Sequence, residues 1–284
     1  MKALPPEWEE PLEAEFTSHK TRVVGRWKKG ETLEAIDQVI EEIPVAMVYN
    51  GISHAVMLAT PTSLKAFGLG FSLSEGILRS VNEVYGMEAV PGPEGIELQM
   101  TIAQERFFDL KARRRNLTGR TGCGLCGTES LQQVRRQVGP VTSAQHFTPE
   151  AVHAALSSLP GRQTLQTLTG AVHAAAWCRA DGGIAHVEED IGRHNALDKL
   201  IGHVAMAGEN FAQGFAIVTS RASYEMVQKA AMVAIPMLVA VSAPTGLAIE
   251  LAEQAGVTLV GFARGSGHVV YAHSHRLSGS QAEK

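Results

Sequence analysis

Apolar runs and amphipathic stretches alternate most clearly in the last third of the chain. Phe215-Ala216-Ile217-Val218-Thr219 is an unbroken apolar run of strand length. Ser220 can cap a helix from Ala222 to Ala234. Pro236 to Val241 is a second buried strand, and Val257 to Phe262 a third. Between them, Ser242 and Thr245 can cap a helix from Gly246 to Ala255, which Gly256 closes. Strand, helix, strand, helix, strand with short connections predicts an α/β fold with parallel pairing and right-handed crossovers. Ligands of such sheets sit outside the carboxyl ends of the strands. Those ends are Thr219-Ser220-Arg221, Val241-Ser242-Ala243 and Gly261-Phe262-Ala263-Arg264.

The earlier part of the chain carries shorter periods. Arg22 to Trp27 alternates as a strand. Ile43 to Tyr49 enters an Asn50-Gly51 turn and Ser53 to Ala59 returns, which is a hairpin signature. Thr60-Pro61-Thr62 predicts a helix running to about Leu78, with Thr60 as its cap and Pro61 at its first position. Pro91 to Gly95 is a turn, and Gly95 to Thr101 alternates as a strand. Thr148-Pro149 opens a helix to Ser158, and a further helix is expected over 161–169. Ala171 to Cys178 and Ile184 to Val187 are strands around an Asp181-Gly182-Gly183 turn, followed by a helix from Asp190 to Ala207. The expected organisation is a tail over 1–20, an N-terminal hairpin and helix region over 21–127, an α/β region over 148–277 and a tail over 278–284.

Composition bounds the class. The 284 residues are 45% hydrophobic and 19% charged, which is ordinary for a globular enzyme. A net charge of -4 argues against a general nucleic-acid binder. No apolar stretch is long enough to span a bilayer and the N-terminus has no signal core, so no membrane segment is expected. Three cysteines do not make a disulfide framework, and a reducing cytoplasm fits best.

Chemistry concentrates in Gly122-Cys123-Gly124-Leu125-Cys126-Gly127. Lys111, Arg113, Arg114, Arg115 and Arg120 lie just upstream, and positive charge favours the reactive thiolate. Two thiols at this spacing can exchange disulfides, carry sulfur or bind a metal. The metal reading needs two more donors, which Cys178 and the histidines would have to supply. His186-Val187-Glu188 resembles the first element of zinc deaminases, but the cysteine pair comes before it rather than after. Arg193, His194 and Asn195 at a helix start are either ligand contacts or a cap with an internal His194–Asp198 hydrogen bond. Ser220, Arg221 and Ser223 suit a phosphate at a helix N-terminus. In Phe262-Ala263-Arg264-Gly265-Ser266-Gly267, the Phe262 ring can stack a flat base and Arg264 can meet a phosphate. His268, His273 and His275 are expected to be solvated.

These segments, with Gly70-Phe71-Ser72-Leu73-Ser74-Glu75-Gly76 and Glu189 to Lys199, resemble the formate dehydrogenase accessory sulfurtransferase family, FdhD/NarQ, in order across residues 40 to 275. The resemblance implies a three-layer core like that of cytidine deaminases, without their zinc. It implies a cytoplasmic homodimer that takes persulfide sulfur from a cysteine desulfurase. The acceptor would be the molybdenum or tungsten of a bis(guanine dinucleotide) molybdopterin serving a formate dehydrogenase. Cys123 matches the persulfide-bearing cysteine and Cys126 its companion, and Phe262 to Gly267 match the cofactor-binding segment. The chain departs from the family pattern at Ala171 and Gly267. A cofactor-binding chaperone without transfer chemistry is the alternative function.

Overall fold

The structure is a computed structural model and describes residues 16–115 and 138–278. Cys123 and Cys126 lie outside the described residues. Strands β1 (His19–Lys28) and β2 (Glu31–Ile40) form an antiparallel ribbon. Strands β3 (Ile43–Tyr49), β4 (Ile52–Ala59), β5 (Val84–Gly92) and β6 (Gly95–Ile102) form a sheet of order β4-β3-β6-β5. Asn50 and Gly51 turn the β3–β4 hairpin in left-handed conformations, φ 46° and 80°, as an Asn-Gly turn requires. Asn50 also ties the hairpin to β6, accepting from the Ile102 N–H at 2.7 Å and donating to its carbonyl at 3.1 Å.

The second sheet has order β12-β11-β10-β9-β7-β8. Its strands are β7 (His173–Arg179), β8 (Ile184–Asp190), β9 (Gly214–Val218), β10 (Met237–Ala240), β11 (Thr258–Arg264) and β12 (Gly267–Ala272). Strands β9, β10 and β11 run parallel, as their apolar runs predict, while β7, β8 and β12 flank them antiparallel. The helices are α1 (Leu64–Ser74), α2 (Gln104–Arg115), α3 (Pro149–Ser158), α4 (Thr164–Thr169), α5 (Arg193–Met206), α6 (Tyr224–Met232) and α7 (Gly246–Ala255). One face of the large sheet packs on α5, α6 and α7 through Val218, Leu238, Ala240 and Leu259. The other face packs on α3 through Phe215, Ile217, Val239 and Val260. That is the expected three-layer α/β arrangement. Helix α1 joins the four-stranded sheet to the same core, because Phe67 and Leu69 belong to one cluster with Leu98, Leu197 and Ile201.

Two strands were not evident in the pattern. β2, with Glu31, Glu34 and Asp37, buries no residue, so it shows no apolar alternation. β5 carries Gly86 and Pro91, both disfavoured within strands. Strand β1 also begins at His19, inside the expected tail. Two expected caps are replaced. Helix α1 begins at Leu64 after Ser63, and Thr60 is instead buried against Asp190. Helix α6 begins at Tyr224, and the Ser220 hydroxyl donates to the Arg221 carbonyl at 3.0 Å rather than capping. Thr148 and Thr245 do cap, accepting from the N–H groups of Ala151 and Ala248. Among the described residues no helix is long and apolar enough to cross a membrane.

Candidate functional site

One edge of the large sheet gathers most of the residues singled out from sequence. The connections after β9, β10 and β11 are tied to one another. The Phe262 N–H donates to the Ser242 carbonyl at 3.1 Å, and the Thr245 N–H to the Ala222 carbonyl at 3.0 Å. Because β7 and β8 run opposite to each other, the start of β7 and the end of β8 reach the same edge, where His173 pairs with Asp190. The Ala174 N–H donates to Thr219 Oγ1 at 2.9 Å, locking β7 to the end of β9.

Asp190 organises this corner. Its side chain is fully buried and lies 2.7 Å from the fully buried Lys199 Nζ. Its oxygens also accept from the N–H groups of Thr60 and Gly192 and from Asn195 Nδ2, at 2.7 to 3.0 Å. Gly192 and Asn195 bracket Arg193 and His194, so the buried ion pair sets the start of α5. His194 Nε2 then reaches Glu225 Oε2, 2.8 Å away on the first turn of α6. The alternative His194–Asp198 bond is not formed. Asp198 turns to the buried face of α5, where Ser74 Oγ donates to it at 2.6 Å and Lys229 Nζ at 2.9 Å.

Among the described residues, three polar atoms near this corner are buried with neither a hydrogen-bond nor an ion-pair partner: Arg193 Nε, Ser223 Oγ and Gln228 Nε2. Ser223 flanks α6 yet makes no side-chain cap. An unpaired buried polar group costs about 1–3 kcal/mol, so Arg193 and Ser223 at two helix starts, with Gln228 one turn into α6, suit a ligand that supplies acceptors. Gln228 completes a set that sequence pointed to through Arg193, Ser220, Arg221 and Ser223. The signal for Ser223 was its place beside a helix start; nothing in the sequence marked Gln228.

The segment after β11 is shaped unusually. Phe262 holds φ 50°, a left-handed conformation that costs a non-glycine residue of order 1–3 kcal/mol and recurs at functional sites. Its ring is 41% exposed, whereas Ala263 beside it is fully buried. The register of β11 against β12 shifts between Gly261 and Arg264. This bulge leaves Phe262 and Arg264 exposed while the Ala263 methyl enters the core. Arg221 is exposed as well. Among the described residues, the edge therefore offers an aromatic face, two guanidinium groups without an ion-pair partner and unpaired donors on Arg193 and Gln228.

The metal-type residues are engaged elsewhere. Cys178 is buried in β7 and burial pushes its thiol up to about 12, which keeps it protonated and unreactive. His186 Nε2 is 3.1 Å from Glu209 Oε1, and Glu188 Oε1 is 2.6 Å from His203 Nδ1. His268 and His273 are not simply solvated: His268 Nδ1 pairs with His153 Nε2 at 3.0 Å, and His273 Nε2 donates to the Glu253 carbonyl.

A model of the FdhD/NarQ family matches residues 40–278, which include this whole edge. The chain belongs to the FdhD/NarQ family. It is 57% identical over 265 residues to the sulfur carrier protein FdhD of Cupriavidus necator, covering 93% of this chain and 92% of the relative. It is 54% identical over 246 residues to that of Variovorax paradoxus, covering 87% and 88%. The fold resembles the crystal structure of a candidate formate dehydrogenase accessory protein from Desulfotalea psychrophila. That match has TM-score 0.72 at 20% identity and covers 92% of this chain and all of that one.

The electrostatics of this FdhD/NarQ member predict an acid-sensitive fold. His173, His186 and His268 are each held below the ordinary 6.5 chiefly by burial, aided by Arg193, His203 and His153 respectively. The unfolded chain binds those protons first as pH falls. Their stabilising contribution is thus complete above 6.5 and is lost as pH drops through the lower folded values. The melting temperature should hold above about pH 6.5 and fall as pH drops below it; a flat profile from about pH 7 to about pH 5 would contradict the assignment. Glu225 acts lower, since the hydrogen bond from His194 holds its carboxyl below its ordinary value.

Proposed function

We propose that this chain is a sulfur carrier that loads sulfane sulfur on Cys123 and delivers it, with Cys126, to the metal of a bis(guanine dinucleotide) molybdopterin needed by a formate dehydrogenase. The observation that carries the reading is the basic sheet edge with its unpaired polar atoms and exposed, strained Phe262. A guanylated pterin is flat at its bases and anionic at its phosphates. Phe262 offers a stacking face for guanine. Arg193, Arg221 and Arg264, with Ser223 and the N-terminal end of α6, offer donors to the phosphates, and Ser220 joins them once its hydroxyl turns from the Arg221 carbonyl. His194 borders the same helix start. Ala263, Gly265, Ser266 and Gly267 add little bulk around the exposed ring and guanidinium, so a large ligand can approach the backbone closely. The names of the relatives support sulfur carriage.

The chemistry balances as thiol exchange. The Cys123 thiolate attacks the outer sulfur of a desulfurase persulfide, and the desulfurase thiolate leaves. Sulfur is thereby moved without net oxidation. The Cys126 thiolate then attacks the inner sulfur of the Cys123 persulfide. A Cys123–Cys126 disulfide forms and hydrosulfide leaves toward the acceptor metal, where it replaces an oxo ligand that departs as water with one added proton. A cellular dithiol reduces the disulfide and resets the pair. The cationic residues upstream in the sequence, Lys111, Arg113, Arg114, Arg115 and Arg120, favour both thiolates. The protein works as a cytoplasmic homodimer between two partners, the cysteine desulfurase and the dehydrogenase.

The test is mass spectrometry of the peptide bearing Cys123 after incubation with a desulfurase and cysteine. One additional sulfur, removed by dithiothreitol and absent from Cys123→Ala, is expected. An unmodified peptide despite desulfurase turnover would exclude the carrier role. Full dehydrogenase maturation in cells by Cys123→Ala would favour a chaperone that binds the cofactor without transferring sulfur.

A further inference from the structure

The segment from Phe262 to Gly267 contains two left-handed residues three apart, Phe262 at φ 50° and Gly265 at φ 58°. A phenylalanine does not stay there by preference, so surrounding contacts must hold it. At the upstream end they are plain: the Ala263 methyl is buried in the core, and the Phe262 N–H is bonded to Ser242. At the downstream end Gly265, Ser266 and Gly267 are all exposed. A Cβ at Gly265 or Gly267 would meet no atom within 4 Å. Packing therefore does not hold this end.

Two histidines do. His153, on α3 behind the sheet, places Nδ1 3.1 Å from the Gly265 carbonyl. A carbonyl only accepts, so Nδ1 carries the proton. Neutral His153 then has a bare Nε2, which lies 3.0 Å from His268 Nδ1. His268 must donate there. The result is a one-directional chain, from His268 Nδ1–H to His153 Nε2 and from His153 Nδ1–H to the Gly265 carbonyl. Its two ends attach to residues on either side of Ser266 and Gly267, closing the loop on a single imidazole. The rings sit 5.1 Å apart, tilted by 39°.

We propose that His153 and His268 are positioning residues that lock the Phe262–Gly267 segment in its ligand-competent shape. Without them the segment relaxes and the Phe262 ring and Arg264 guanidinium lose their fixed placement. Neither histidine need touch the ligand. The proposal rests on the nucleotide reading of this edge for its functional consequence, and on the hydrogen bonds alone for its mechanical one.

The experiment uses the full chain, with GDP as the probe, in wild type, His153→Ala, His153→Asn and His268→Ala. Amide hydrogen exchange over residues 261–268 without nucleotide reads the lock directly. Titration calorimetry with GDP reads its consequence. His153→Ala should speed exchange in this segment alone. If the competent fraction falls to a tenth, GDP affinity falls about tenfold. In His153→Asn the side-chain amide can still donate to Gly265, so affinity should return to within about threefold of wild type. His268→Ala should lie between. Unchanged exchange over 261–268 in both alanine variants would overturn the proposal, as would equal loss of affinity in His153→Ala and His153→Asn. Absence of GDP binding by wild type would instead remove the nucleotide reading, and the exchange comparison would still decide the lock.

Discussion

Asp190→Ala should cost this protein most of its stability. The substitution removes the carboxylate facing Lys199 at 2.7 Å, where both side chains are fully buried. Among the described residues Lys199 keeps the Thr60 carbonyl at 2.8 Å, Thr62 Oγ1 at 3.1 Å and the Phe67 ring at 5.9 Å, none of which neutralises its charge. Breaking a buried pair by deleting one partner costs about 3–5 kcal/mol, mainly for the uncompensated charge left behind. Three further donors, the N–H groups of Thr60 and Gly192 and Asn195 Nδ2, lose their acceptor together. Whole domains are stable by about 5–15 kcal/mol, so little remains. Urea denaturation measures the loss. A change below about 1 kcal/mol would show that the pair is not the anchor of this corner. The double variant Asp190→Leu with Lys199→Met separates stability from site geometry. Exchanging a buried pair for apolar residues of similar volume is often neutral or better, so the fold should recover. Nucleotide affinity should not, because Gly192 and Asn195 still lack the carboxylate that sets Arg193 and His194.

The contrast between legible and hidden features follows from where each residue finds its partner. The three parallel strands and α7 between Phe215 and Phe262 read correctly because their signals are local. Apolar strands of five or so residues alternate with helices, and Thr245 and Gly256 mark the ends of α7 within the segment itself. Thr60 and Ser220 misled for the same reason. Each has a hydroxyl in a plausible capping position, but the partner that settles Thr60 is Asp190, 130 residues away. Asp198 likewise looked available to His194 one turn before it. Lys229 and Ser74, from two other helices, claim it instead. Strand β2 was invisible because neither of its faces is buried, so the polar and apolar positions carry no period. At the candidate site the cationic and aromatic residues were legible from their place at strand ends. The unpaired state of Arg193 Nε and Ser223 Oγ and the His153 bond to Gly265 depend on packing between layers, which no single segment encodes.

Gly70→Ala should be the second large effect, and it runs against helix propensity. Alanine is favoured over glycine inside a helix by roughly 0.8–1.0 kcal/mol, so propensity alone predicts stabilisation at both Gly68 and Gly70 of α1. The two positions face different neighbours. A Cβ on Gly68 would meet the flexible ends of Met100 and Leu98 at 3.3 and 3.4 Å, and these can yield. A Cβ on Gly70 would fall onto the Asp198 carbonyl oxygen and within 2.6 Å of the Gly202 nitrogen, which are backbone atoms of α5. Gly202 answers reciprocally, since its own Cβ would strike the Ala66 carbonyl. The helices touch backbone to backbone, and neither can accept a methyl without moving apart. Overpacking of this kind typically costs about 1–3 kcal/mol and occasionally more. Gly70→Ala should therefore lower stability by about 3 kcal/mol while Gly68→Ala stays within about 1 kcal/mol of wild type, as denaturant unfolding of the two variants would measure. Equal stability of the two would mean that the crossing tolerates separation. The consequence reaches the site, because α5 begins with Arg193 and His194. A helix displaced at Asp198 and Gly202 carries those two residues away from Glu225 and the start of α6, so nucleotide affinity should fall in Gly70→Ala even where the protein remains folded.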